Sequence, residues 1–179
     1  MKTFVKPFIV MLCLMLVCGA SLSILSNLLN VSDEERIQRA IDKIYTVETV
    51  SLESTVNVSE VDTSDLADLG EIKACYVISN GDYLVLSKGK KGYSNGSVTT
   101  YVAISSDLTV KKVVEDSYTS QTLMSKLSGI YSKYVGFNAN SSKEEIDDVI
   151  VSGATYSSYA VNNSVYVALR FVERLGGAK

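Results

Sequence analysis

The chain has 179 residues, 46% of them hydrophobic, with 17 basic and 20 acidic side chains and a formal charge of −3. That length supports one ordinary domain with a real core, and the acidic balance excludes the clustered basic face of a nucleic-acid binder. His is absent, which removes the usual general base and the commonest transition-metal ligand, so any chemistry must come from carboxylates, hydroxyls, a thiol or a borrowed cofactor; no catalytic residue and no metal ligand is singled out.

The first element is an uncharged run from Phe8 to Leu29. As a helix it would rise about 33 Å, the thickness of a bilayer core. Lys2 and Lys6 precede it, and Asp33, Glu34 and Glu35 follow. The positive-inside rule then predicts a single-pass anchor over residues 1–30, set in the lipid bilayer of the cell membrane. Its N-terminus is cytoplasmic and everything after about residue 31 is extracytoplasmic. A cleaved signal peptide is the alternative, since Gly19-Ala20-Ser21 offers small residues.

Ser32-Asp33-Glu34-Glu35 reads as a capping box, and Ile37, Ala40, Ile41 and Ile44 follow at helical spacing. This helix opens a membrane-proximal region, residues 31–70, whose remainder has no clear periodicity and room for one or two short strands. Residues 71–179 make the main domain. Lys73 to Ser79 and Asp82 to Ser87, joined by Asn80-Gly81, predict a hairpin with a tight primed turn. Cys75 within it reads as a small buried hydrophobe. A glycine-punctuated loop runs from Lys88 to Gly96, and Ser97 to Ser105 then pairs with Leu108 to Glu115.

Leu123, Met124, Leu127, Ile130, Tyr131 and Tyr134 predict an amphipathic helix over residues 121–134, ended by Gly136. Ser142 with Glu145 caps a short helix. A last helix beginning near Ser158 presents Val161, Val165, Ala168, Leu169 and Val172 on one face. The expected fold is α+β: an N-terminal transmembrane helix, then one domain of antiparallel strand pairs with packed helices.

The chemistry-bearing phrase is Val151-Ser152-Gly153-Ala154-Thr155-Tyr156-Ser157-Ser158. Gly153 and Ala154 keep the backbone slim, and Thr155 offers a hydroxyl just ahead of a helix start, where free amides favour a phosphate. Ser157 and Ser158 can cap the helix or donate to phosphate oxygens. An ordinary loop with a serine cap would look the same on spacing alone.

Ser152-Gly153-Ala154-Thr155 resembles the flavinylation motif of the FMN-binding domain family. Gly92-Tyr93, Asn95-Gly96 and the strand pair after them resemble the G subunit of Rnf electron-transport complexes and the C subunit of sodium-pumping quinone reductases. The resemblance implies FMN bound covalently to Thr155 by a phosphoester, installed by a flavin transferase from FAD with magnesium. It also implies an electron-carrying subunit among other membrane subunits, rather than a self-contained enzyme. Gly92, Tyr93 and Tyr156 are candidates to edge or stack on the flavin, as is Tyr159. The chain departs from the family pattern at Val149, where an Asp is common, and at Glu115-Asp116-Ser117-Tyr118-Thr119, where a Glu-Thr-Pro-Gly element is usual. A freestanding flavinylated protein of extracellular electron transfer and a flavin-free anchored interaction domain are the competing expectations.

Overall fold

A computed structural model describes residues 5–29, 32–46 and 48–177. Two compact units divide between Arg39 and Ala40. The first contains α1, Val5–Leu29. Among the described residues no helix is long and apolar enough to cross a membrane. This corrects the expected transmembrane helix and, with it, the single-pass anchor. The side chains described on α1 are those of residues 7–23, which rise about 26 Å, short of the roughly 30 Å hydrocarbon core. That stretch ends in Gly19-Ala20-Ser21-Leu22-Ser23, and the Ser21 hydroxyl donates back to Val17 O at 2.8 Å. Lys2, used to orient the anchor, lies outside the described residues. Ser32 Oγ accepts the Glu35 N–H at 3.2 Å and opens α2, Asp33–Ile44.

The second unit is built on an antiparallel sheet in the order β1 (Leu52–Val56), β2 (Gly70–Ile78), β3 (Tyr83–Gly89), β4 (Ser97–Ile104), β5 (Val110–Thr119). Every strand pairs with its sequence neighbour, so each connection is local. The β2–β3 turn differs from the primed two-residue form. The Gly81 N–H donates to Ile78 O at 2.8 Å, the Ile78 N–H donates to Asp82 O at 2.9 Å, and Gly81 but not Asn80 has positive φ. That is a three-residue loop with a left-handed last position. The Asn80 side chain accepts the Asp82 N–H at 3.1 Å, which stabilises Asn80 in the unprimed conformation. The β4–β5 loop repeats the arrangement with Leu108 at φ 63°.

Two short helices of the main domain behave differently from each other. Ser142 and Glu145 form the expected reciprocal cap on α3, Lys143–Asp147. The expected helix over 121–134 is instead two 3₁₀ turns, Met124–Leu127 and Tyr131–Tyr134. Gly129 between them carries no side chain and disfavours a continuous α-helix there. Tyr131 donates to the Glu115 carboxylate at 2.6 Å, and Tyr134 donates to Asn162 Oδ1. Burial, reinforced by Glu115, pushes the Tyr131 phenol well above its usual range.

The core lies between the sheet and α4, Thr155–Gly177, which packs on β2, β3 and β4. Its face Val161, Val165, Ala168, Leu169 and Val172 is buried as its spacing requires. Helix and sheet approach closely: a Cβ on Gly89 would lie 1.9 Å from Ala160 O. Next to that point the Ser164 hydroxyl donates to Ser87 O at 2.9 Å and meets Thr100 Oγ1 at 2.7 Å. These bonds satisfy the polar atoms of the closest contact and fix the position of α4 against β3 and β4. Cys75 is fully buried in this core, and burial pushes its thiol up to about 12.

Candidate functional site

The motif forms a turn that runs directly into α4. The Ala154 N–H donates to Val151 O at 2.9 Å, and Gly153, third of the four turn residues, has φ +79°. This is the conformation of a type II turn, which a side chain at that position would strain. The Ser158 N–H then donates to Ala154 O at 2.9 Å, so α4 begins at Thr155, three residues ahead of the Ser158 start expected from sequence. Ala154 stands at the cap position and has no side-chain oxygen to fill the first amides. The leading N–H groups of α4 are therefore left for another acceptor.

The two serines beyond Thr155 turn inward. Ser157 Oγ donates to Gln121 Oε1 at 2.6 Å. Ser158 Oγ donates to Ala154 O at 3.0 Å and accepts the Val151 N–H at 3.1 Å. Both are buried, so their hydroxyls fasten the turn to the helix and to the segment after β5. Ser152 is exposed at the tip of the turn, and Ala154 is buried beneath it.

Thr155 is half-buried in a cleft of about 380 Å³ lined by Tyr93, Thr122, Leu123, Gly153, Ala154, Thr155, Tyr156 and Ser157. Of the residues singled out in the sequence, the cleft gathers Gly153, Ala154, Thr155, Tyr156 and Ser157 with Tyr93, which comes from the connection between β3 and β4. Ser152, Ser158 and Gly92 do not line it. Gly92 precedes Tyr93 and packs on Gln121: a Cβ there would lie 2.5 Å from Gln121 Nε2. Tyr93, Leu123 and Tyr156 each leave over a third of their surface exposed around the cleft. Tyr156 also edges a second cleft, with Leu69, Lys91, Lys143, Asp147, Tyr159 and Asn163.

Gln121 organises this site and was not legible in the sequence. Its Oε1 accepts from Tyr93 N at 3.2 Å and from Ser157 Oγ, and its Nε2 donates to Tyr93 O at 3.3 Å and to Thr119 O at 3.0 Å. One buried amide thus joins the Tyr93 loop, the end of β5 and the first turn of α4. Thr122 and Leu123 follow it into the cleft wall. The only hint in the sequence was a polar residue heading an apolar series, and that read as the start of a helix.

The residues present fit a flavin mononucleotide. They offer a hydroxyl at a helix start, a slim backbone with unfilled amides beside it, and an apolar aromatic wall for a ring system. Residues 92–170 match the family model described as FMN-binding domain, a stretch that contains every residue lining the Thr155 cleft. The match supports a flavin-binding protein with FMN as its cofactor. Comparison with curated proteins and with solved structures gave no match.

Proposed function

We propose that the chain is an electron-carrying flavoprotein whose FMN is joined to Thr155 through a phosphoester. The observation that carries this is the position of Thr155: first residue of α4, preceded by the Gly153 turn, and open to a cleft walled by Tyr93 and Leu123. In the loading reaction, the Thr155 hydroxyl oxygen attacks the FMN-side phosphorus of FAD. A new O–P bond forms, the pyrophosphate P–O bond breaks, AMP leaves, and the hydroxyl proton is released to a base of the transferase. Thr155 carries no base of its own, since no carboxylate lines the cleft. A separate flavin transferase with magnesium is therefore part of the proposal. Once bound, FMN supplies one- or two-electron transfer, and the chain supplies tethering, orientation and an apolar wall.

The same proposal puts the domain on the extracytoplasmic side, where a lost FMN could not easily be replaced, as a subunit of an Rnf-like complex. A freestanding carrier in extracellular electron transfer is the alternative, and adjacent genes for multi-span and iron–sulfur subunits distinguish the two. Produced with a flavin transferase, the wild type is expected to show a fluorescent band that survives denaturing electrophoresis. Thr155→Val removes the nucleophile at nearly constant shape, so the band is lost while the domain stays folded, and peptide mass spectrometry places the adduct on Thr155. A colourless wild type, beside a control protein that the same transferase labels, overturns the reading in favour of a flavin-free interaction domain.

A further inference from the structure

We infer that Lys126 holds the phosphate of the flavin ester at Thr155. The inference rests on the reading of Thr155 given above and adds a residue to it. Lys126 lies in the 3₁₀ turn Met124–Leu127, whose Met124 and Leu127 are buried, so the backbone beneath it is fixed to the core. Its side chain reaches across to the motif. Lys126 Nζ is 3.3 Å from the position a Cβ would occupy on Gly153, two residues before Thr155. The missing side chain at Gly153 is therefore the space that admits the ammonium, as well as a consequence of the turn.

The charge pattern around it points the same way. Lys73, Lys88, Lys91, Lys111 and Lys143 are each paired with a carboxylate. Lys126 has no such partner among the described residues, and neither have Lys43, Lys90, Lys112 and Lys133, but Lys126 is the one whose ammonium lies at Gly153, and the cleft beside it is lined without a single Asp or Glu. A phosphodiester carries one negative charge and two free oxygens. The leading amides of α4 serve one side of such a group, and a mobile ammonium over Gly153 serves the other. Lys suits the task because the ester bond already sets the orientation of the phosphate, leaving only charge to be supplied.

The test compares wild type, Lys126→Gln and Lys126→Arg, each incubated with a flavin transferase, FAD and magnesium beside a control protein the transferase labels. The readouts are the initial rate of labelling and the phosphorus NMR signal of the attached ester. Lys126→Gln is expected to label roughly tenfold more slowly, the effect of losing one charge-assisted hydrogen bond, and to shift the phosphorus signal. Lys126→Arg keeps both near wild type. Wild-type labelling with an unchanged rate and phosphorus signal in Lys126→Gln overturns the role of Lys126 and leaves the Thr155 reading standing. An unlabelled wild type beside a labelled control overturns both.

Discussion

The Ser157 hydroxyl, in the first turn of α4, shares Gln121 Oε1 with the backbone N–H of Tyr93, at 2.6 and 3.2 Å. The two walls of the Thr155 cleft thus hang on one amide oxygen. Gln121→Leu keeps the approximate volume but leaves the Ser157 hydroxyl, the Tyr93 N–H and the Thr119 carbonyl without their partner. Unsatisfied buried groups of this kind cost about 1–3 kcal/mol each in the worst case, so a loss of about 2–4 kcal/mol is expected. Urea unfolding followed by circular dichroism measures it. A midpoint within error of wild type would mean that water replaces the amide without cost.

Gly153→Ala is expected to destabilise the domain by about 1–2 kcal/mol, because φ +79° is a left-handed conformation that a Cβ opposes. The new methyl would also meet Lys126 Nζ, which can swing aside at little cost. The stability change therefore reports the turn and a slower labelling rate reports the site. Thermal melts and in-gel flavin fluorescence separate them.

Ser158→Ala removes a hydroxyl that accepts from Val151 N and donates to Ala154 O inside the protein. A loss of about 1 kcal/mol is expected, with more if the Val151 N–H finds no water. Hydrogen exchange at the Val151 amide is the direct check, and it should accelerate in the variant while exchange in β4 changes only with global stability.

These bonds mark where the sequence stops being informative. The Ser142–Glu145 box could be read because both partners lie three residues apart and their chemistry is local. The turn at Gly153 is as local, yet spacing alone did not tell it from an ordinary loop with a serine cap, and only the resemblance to a flavinylation motif singled out Thr155. Its helix started earlier than expected because the cap is a turn around Gly153, and not the Ser158 side chain the spacing suggested. In residues 121–134 the apolar positions 124, 127 and 130 recur every three residues, a spacing that a 3₁₀ turn satisfies nearly as well as an α-helix. Periodicity predicted the burial of Met124, Leu127, Ile130 and Tyr134 but not the exposure of Leu123, and it missed the backbone that buries them. Gln121 was invisible because its partners, Tyr93 and Ser157, lie 28 and 36 residues away. The N-terminal run failed differently: a count of uncharged residues took it for a membrane span, and no described helix is long and apolar enough for one.

Cys75 gives a pH prediction. Burial raises its folded value to about 12 from an ordinary value of 9.0. A raised folded value means that the stability contribution is complete below about pH 9, where the thiol is neutral in both states. It is lost as pH rises toward 12, because the unfolded chain gives up the proton first. At pH 10.5 the loss is on the order of 2 kcal/mol relative to pH 8. Cys75→Ala should show a flatter decline over the same window in urea titrations, and equal slopes would assign the alkaline loss to other groups. In the native protein Cys75 should also resist thiol reagents at pH 8 and react once unfolded.

The side on which the flavin ring lies gives the last prediction. Tyr156 borders both clefts, Tyr93 borders only the one that holds Thr155, and Tyr159 borders only the other. The second cleft is edged by Lys143 paired with Asp147 and by Lys91 paired with Asp68, so a ring placed there would lie against hydrated charges. On the Thr155 side it meets Leu123 and the face of Tyr93, which is half exposed. An aromatic face worth about 0.5–1.5 kcal/mol beyond its buried area favours the Thr155 side. In the labelled protein, Tyr93→Ala is therefore expected to raise flavin fluorescence and weaken its visible circular dichroism, because a stacked tyrosine quenches the flavin and fixes its asymmetry. Tyr159→Ala should leave both unchanged. Neither variant should alter labelling by more than a few-fold, since neither side chain touches the Thr155 hydroxyl in the loading step. The opposite pattern, with Tyr159→Ala changing the spectra and Tyr93→Ala silent, would put the ring on the Lys91–Lys143 side and remove Tyr93 from the flavin site.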